Sequence, residues 1–193
     1  FWIMIFKYKF LKKSLIDANL SIENINFEDI QKIRKWRNDQ VKGLRQNKRL
    51  SITEQTKYFR NYIMSQSKLS RPETFLFGLK KDNNLIGYGG LVYISWTNRR
   101  AEISFLLDTK IMKTKGKNNF FFLRYFDLIK FLAFNKLKLL KIYMGTSVFR
   151  NITPKLLKKS GFKYEATLKK HVYKKTIGFV DVAIYSYFNK LKR

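Results

Sequence analysis

The chain contains no cysteine, which excludes disulfides, thiolate metal sites and a cysteine nucleophile. Its only histidine is His171, so a multi-histidine zinc site is excluded and a Ser-His-Asp triad has little room. No metal is therefore expected. Proline (2) and glycine (9) are scarce, and neither a linker, a low-complexity run nor an internal repeat is visible. Long uncharged apolar runs are missing too, which argues against a membrane-spanning helix. Residues Phe1 to Phe6 form a short apolar run, but Lys7, Lys9, Lys12 and Lys13 follow it rather than precede it, the wrong order for a secretory signal. A cytoplasmic protein is expected.

Acidic residues are few. Asp and Glu number 13 against 41 Lys and Arg, a formal net charge of +28. Such a surface attracts anions: nucleic acid, an anionic membrane, an anionic coenzyme or a nucleotide-linked substrate. The Lys-, Asn-, Ile- and Phe-rich usage also fits a compositional drift with solvated lysines, which we take as its main cause. What is abundant is apolar surface. A hydrophobic fraction of 45% with 17% aromatics, in 193 residues, supports one domain with a sizeable core.

Residues 1–17 have no evident place in the pattern and are set apart as an N-terminal extension, leaving 18–193 as the domain. A short strand is expected at Leu20–Asn24, then a helix capped by Asn26 with Asp29 completing the box and Phe27, Ile30, Ile33 and Trp36 at helical spacing. Ser51 and Glu54 form a second capping box, opening a helix with Ile52, Tyr58, Phe59, Tyr62 and Ile63 as its apolar stripe. Strands are expected at Thr74–Leu79, Leu85–Trp96 and Ala101–Asp108, joined by turns at Asp82-Asn83-Asn84 and Thr97-Asn98-Arg99. Gly87, Gly89 and Gly90 inside the second of these suggest a bulge or a close backbone approach.

A basic turn, Lys113-Thr114-Lys115-Gly116-Lys117-Asn118, then opens onto a long apolar helix through Phe121, Phe122, Tyr125, Phe126, Ile129, Leu132 and Ala133. A strand at Lys141–Val148 follows, and this β-α-β crossover requires parallel strands. Thr153-Pro154 starts a short helix that Gly161 ends. Strands Tyr164–Tyr173 and Phe179–Phe188 close the chain. The Lys113–Asn118 turn is an anion cradle in physical terms, since backbone N–H groups and the macrodipole at a helix N-terminus both favour a negative group.

This order of elements, over about Ala18 to Phe188, resembles the GNAT superfamily of N-acetyltransferases. The resemblance implies an α/β (α+β) fold with a mixed, mostly antiparallel sheet of about seven strands, splayed between the fourth and fifth, and helices on both faces. It also implies acetyl-CoA as co-substrate. Lys113, Gly116 and Asn118 match the family's pyrophosphate loop, Arg/Gln-x-x-Gly-x-Gly/Ala, so Lys113, Thr114, Lys115, Gly116, Lys117 and Asn118 are expected to hold the coenzyme; Asn118 departs from the small residue usual there. The segment Asn98 to Leu107 resembles the family's fourth strand, whose backbone at Phe105, Leu106 and Leu107 would bind the pantetheine arm and polarise the thioester carbonyl.

Glu102 on that strand is the expected general base, since an amine must be neutral to attack; the alternative is a surface glutamate paired with Arg99 or Arg100. Alternation puts Glu102, Ser104 and Leu106 on one face without saying which. Asn151 to Phe162 resembles the family's short helix after the fifth strand, with Asn151 and Leu157 at coenzyme positions. The tyrosine usual at the latter position, which protonates the leaving thiolate, is replaced by Leu157.

Arg37 and Asn38, following Trp36, resemble the end of the first helix in members acting on nucleotide-linked amino sugars. His171 and Tyr173 resemble those members' sixth strand, which faces the acceptor, and Asp181 sits in a similar turn or pairs with a lysine. The expected activity is transfer of an acetyl group from acetyl-CoA to a small primary amine, most readily of a nucleotide-linked amino sugar, by a monomer or homodimer. A protein N-terminus, as on a ribosomal protein, is the nearest rival acceptor. A basic RNA-binding module, with nucleic acid as partner, is less favoured because most aromatics fall at buried-looking positions. A GNAT fold that binds acetyl-CoA without transferring acetyl is the remaining alternative.

Overall fold

The computed structural model describes residues 15–17, 19–114, 116–147 and 154–189. The expectations for residues 1–14, Lys115, Asn151 and Thr153 lie outside them. Eight strands, β1 (Leu15–Asp17), β2 (Leu20–Asn24), β3 (Phe75–Lys81), β4 (Asn84–Ser95), β5 (Arg100–Leu107), β6 (Lys141–Thr146), β7 (Lys163–Lys174) and β8 (Gly178–Phe188), form one sheet. Their order is β1-β2-β3-β4-β5-β6-β8-β7. The seven expected strands are all present, and the eighth is three residues of the segment set apart in the sequence, paired antiparallel to β2.

The helices are α1 (Asp29–Asp39), α2 (Ile52–Lys57), α3 (Met64–Lys68), α4 (Thr109–Lys113), α5 (Lys117–Phe131) and α6 (Pro154–Lys159). At the start of α1, Asp29 accepts from the Asn26 N–H (3.1 Å), but the Asn26 side chain caps nothing; its carbonyl accepts from the Asp29 N–H instead. The Ser51–Glu54 box forms in full. Between α2 and α3 the helix widens into a π turn, Tyr58–Ile63. This extra residue per turn rotates the stripe expected from the sequence. Phe59 and Ile63 go to the core, Ile52 is exposed, and Tyr58 and Tyr62 are left part-exposed and stacked on each other.

The sheet is apolar on both faces, so it needs a cover on each. On one side α5 packs Phe121, Phe122, Tyr125, Phe126 and Ile129 against Phe75, Phe77, Ile103 and Phe105 in the larger cluster. On the other, Ile30, Ile33 and Trp36 of α1 meet Phe59, Ile63, Tyr88 and Leu106 in the smaller one. The glycines of β4 serve close approach. A Cβ on Gly89 would lie 2.1 Å from the Ser104 carbonyl oxygen and 2.7 Å from the Tyr125 hydroxyl, so neither β5 nor α5 could sit where it does.

Among the described residues β5 and β6 are the only parallel pair, as the crossover requires, and they are in register at Arg100–Lys141, Ala101–Ile142 and Glu102–Tyr143. Beyond Glu102, β5 continues beside β4 alone as far as Leu107. The sheet therefore splits, and alternate backbone groups of residues 103–107 face the gap rather than a ladder partner.

Candidate active site

Alternation along β5 sends Ala101, Ile103, Phe105 and Leu107 into the α5-side core and leaves Glu102, Ser104 and Leu106 on the α1–α2 side. That settles the face left open by the sequence. Glu102 is only 7% exposed, and its partner is neither Arg99 nor Arg100 but Arg45, whose Nη2 lies 2.5 Å from Oε1. Arg99 instead donates to the Lys138 carbonyl.

Arg45 belongs to the chain between α1 and α2, and that segment is tied down along its length. Asn38 accepts from the Leu50 N–H (2.7 Å) and donates to the Leu50 carbonyl (2.9 Å). Arg37 donates through Nε to Gln46 (3.0 Å) and through Nη1 to the Tyr88 hydroxyl (2.8 Å). From the far end of the sheet Lys174 donates to the Leu44 carbonyl, and Asn47 donates to the Tyr173 carbonyl. Arg45 thus reaches Glu102 from a fixed base, and its Nη2 would lie 3.5 Å from a Cβ on Gly145 of β6. The guanidinium spans the mouth of the split sheet.

The same residues line a cleft of about 510 Å³ with Arg37, Arg45, Glu54, Glu102 and Ser104 as polar groups and Tyr58, Tyr62 and Tyr93 as aromatic ones. Tyr93 stands at a bulge, where the β4–β5 register skips between Val92–Glu102 and Ser95–Arg100. Its φ of 51° is left-handed, and its side chain is mostly exposed beside the Glu102 row. Glu54, on the rim, bonds Lys48 and the Ser51 N–H, which hold its carboxyl down to about 2. Tyr143 sits in register with Glu102; partial burial and then the Glu102 charge push its hydroxyl up, against Arg100 and Arg45. It stays protonated at neutral pH.

On the far side of the split, α5 holds β5 in place. Tyr125 stacks on Phe105 with ring centroids 3.6 Å apart and donates its hydroxyl to the Ser104 carbonyl (2.9 Å). Burial pushes this hydroxyl well above the usual phenol range, so it remains a donor. Gln40 donates to the Leu107 carbonyl (2.8 Å).

The basic turn lies at the end of this strand, with one difference from the sequence reading: Asp108 caps Lys110 and starts α4, so Lys113 ends a helix rather than opening the turn. Thr114 donates its hydroxyl to the Lys110 carbonyl. Gly116 then turns the chain into α5 at φ 87°, and nothing lies within 4 Å of where its Cβ would sit. Open space thus adjoins the N-terminus of a fifteen-residue helix, so these residues fit a phosphate group. Asn118 does not fill that space with an unbonded amide: its Oδ1 accepts from Asn119 N–H (2.7 Å) and its Nδ2 reaches the Met112 carbonyl (3.4 Å).

Of the residues singled out in the sequence, Glu102 and Arg37 line the cleft, and Asn38 anchors the loop that closes it. Phe105, Leu106 and Leu107 border the split through their backbone, their side chains being core. Leu157 is fully buried. His171 and Tyr173 are exposed on the edge strand β7 and do not line this cleft, and Asp181 bonds Lys169 and the Lys170 N–H. Arg45, Gln46 and Tyr93 were not legible in the sequence. Arg45 has no motif around it, and Tyr93 depends on a bulge.

The sequence profile of the Acetyltransferase (GNAT) domain family matches residues 22–179, and the chain belongs to that family. It is an acyltransferase, and acetyl-CoA is its co-substrate. A search of curated proteins found no match. Among solved structures, the fold is similar to that of spermidine N-acetyltransferase from Vibrio cholerae in complex with CoA and spermine, at TM-score 0.73 and 20% identity, covering 89% of this chain and 96% of that one. A dodecameric structure of the same enzyme aligns at TM-score 0.68, 20% identity, 89% and 95% coverage. A probable acetyltransferase aligns at TM-score 0.71 and 17% identity, covering 92% of this chain and 98% of that one. Among the described residues no cluster of His, Asp and Glu could hold a metal ion, and no helix is long and apolar enough to cross a membrane.

Proposed function

We propose that the chain transfers acetyl from acetyl-CoA to a primary amine that enters the cleft beside Glu102, and that the acceptor also carries negative charge, as a nucleotide-linked amino sugar does. The observation that carries this reading is Glu102, a buried carboxylate at the point where β5 and β6 part. When bound, acetyl-CoA supplies an activated acetyl group. The open space at Gly116 and the N-terminus of α5 hold its diphosphate, and the backbone edge of Phe105 to Leu107 that β6 leaves uncovered holds its pantetheine arm. Glu102 takes the proton from the acceptor ammonium, directly or through a water, so that the nitrogen lone pair can form the amide bond as the carbon–sulfur bond breaks. Leu157 offers no acid for the departing thiolate, which takes its proton from water or from a hydroxyl such as that of Tyr143.

Two features favour an anionic acceptor. The chain carries a net charge of +28, which steers anions in and polycations away. Two arginines also line the cleft, while one of its two glutamates is already engaged by Lys48. A polyamine acceptor is the second reading, favoured by the tyrosine-rich wall of Tyr58, Tyr62 and Tyr93 and by the fold shared with spermidine acetyltransferases. Release of CoA thiol, followed with a panel of amino-sugar nucleotides, polyamines and peptide N-termini, tests the proposal. Turnover with an amino-sugar nucleotide supports it; exclusive turnover of polyamines replaces it with the second reading, and no thiol release above background with any amine would sink both.

A further inference from the structure

The Arg45–Glu102 pair poses a problem that any acceptor must solve. Arg45 occupies the carboxylate that has to receive the amine's proton, and it does so at the mouth of the split, where acceptor and acyl donor must meet. An incoming ammonium must therefore displace the guanidinium. Glu102 loses nothing in the exchange, because one cation replaces another against a carboxylate too buried to be left bare. Arg45 does lose its partner. The other carboxylate lining the cleft, Glu54, is taken by Lys48 at 2.5 Å and by the Ser51 N–H at 2.8 Å. Arg37 nearby adds a second positive charge, which the neutral Tyr88 hydroxyl and the Gln46 side chain hold in place. Once the amine has passed its proton to Glu102, the cleft holds two arginines and no available anion.

We infer that Arg45 is a specificity-determining residue: the acceptor's amine takes its place on Glu102 while an anionic group on the same acceptor, a phosphate or a carboxylate, takes up the displaced guanidinium. This rests on the acetyltransferase reading above and narrows it, since an amine without a nearby anion leaves the exchange half complete. The anchoring of residues 44–50 at both ends confines Arg45 to the cleft, so the anion must lie within reach of one guanidinium from the reacting nitrogen. Arg45 keeps 44% of its side-chain surface exposed, so it has room to swing. The planar fork suits an oxyanion with two oxygens, which a lysine ammonium does not match.

Matched pairs of acceptors test this, the members differing only in the anion: glucosamine 1-phosphate against glucosamine, and 4-aminobutanoate against 1-aminobutane. Each is assayed by thiol release with the wild-type chain, Arg45→Gln and Arg45→Lys. The expected result is that the wild type prefers the anionic member of at least one pair by about 10- to 100-fold in kcat/KM, mostly through KM, the worth of a hydrogen bond to a charged group. Arg45→Gln should bring the ratio to near 1 and leave the KM for acetyl-CoA unchanged, and Arg45→Lys should restore part of it. A wild type that favours neither anionic member overturns the inference, as does an Arg45→Gln variant that keeps the ratio or lowers both members equally. Turnover of any amine in those cases leaves the acetyltransferase reading standing. No thiol release above background with any amine removes both.

Discussion

Two glycines of this chain share a left-handed backbone and differ in where they stand, which makes them a matched experiment. Gly116 and Gly178 have φ of 87° and 79°, and an added Cβ at either would meet nothing within 4 Å. Alanine at either position is strained by about 1 to 3 kcal/mol, the usual cost of holding an L side chain in such a region. For a chain of this size that lowers Tm by roughly 2 to 4 °C per kcal/mol. The two variants should melt alike. Gly178 lies in the β7–β8 turn, whereas Gly116 borders the open space at the start of α5. There a methyl group fills space assigned to the diphosphate and holds off one backbone donor, worth about 1.5 to 3 kcal/mol for a bond to a charged group. Gly116→Ala should therefore bind CoA about 10- to 100-fold more weakly than wild type, and Gly178→Ala should bind it normally. Calorimetric titration with CoA reads this directly. A thermal melt checks it independently, because saturating ligand at 100 times Kd adds about 2.7 kcal/mol to the folded state. Equal CoA affinity in both variants would refute the placement of the diphosphate, whatever happens to their stability.

Glu102→Gln keeps the side chain's volume and removes its charge. We expect kcat to fall by about 10²- to 10⁴-fold with the acetyl-CoA KM unchanged, and retention of half the wild-type rate in the thiol-release assay would rule out Glu102 as the base. Tyr125→Phe removes the donor to the Ser104 carbonyl at full burial. It should cost about 1 kcal/mol, a fall of roughly 2 to 4 °C in Tm by calorimetry, and an unchanged melt would show that α5 holds β5 by stacking alone. Glu54 is held down to about 2 by Lys48 and the Ser51 N–H, so it binds a proton more readily unfolded than folded. Its contribution is therefore complete above the ordinary value of 4.5 and disappears as pH falls toward about 2. Urea midpoints measured across that window should drop less steeply for Glu54→Gln than for wild type, and parallel curves would remove the cap from the acid response.

What could be read in the sequence was whatever repeats with a local period or announces itself by one residue type. The α5 stripe, the Ser51–Glu54 box, the parallel crossover into β6 and the glycine that turns the chain into α5 all belong here. The gaps have a common cause. Regular helical spacing puts Tyr58 and Tyr62 on one apolar stripe with Phe59 and Ile63, and only the π turn separates the two pairs. Tyr93 reaches the cleft through a one-residue bulge that leaves the alternation of β4 intact on either side. Arg45 lies in a stretch without periodicity, and its importance comes from Glu102, 57 positions away. Long-range pairing of that kind leaves no local signature, whereas the position of Glu102 on a strand of recognisable pattern does.

The two faces of the sheet divide the work that a split sheet demands. A strand that leaves its neighbour after three residues loses ladder bonds along half its length, and some other element must fix it if its backbone is to act as a template. Here the fixing is done from the α5 side. Phe105 is clamped under Tyr125, the Ser104 carbonyl is bonded by the Tyr125 hydroxyl, and Gly89 lets both approach β4 closely. The opposite face is then free to carry function. Its apolar cluster is the smaller, and its connecting loop is anchored by side-chain hydrogen bonds rather than by a packed core. Mutations on the α5 side should therefore register first in stability and those around Arg45, Tyr93 and Tyr58 first in acceptor choice. The cleft can change its substrate without disturbing the strand that presents Glu102.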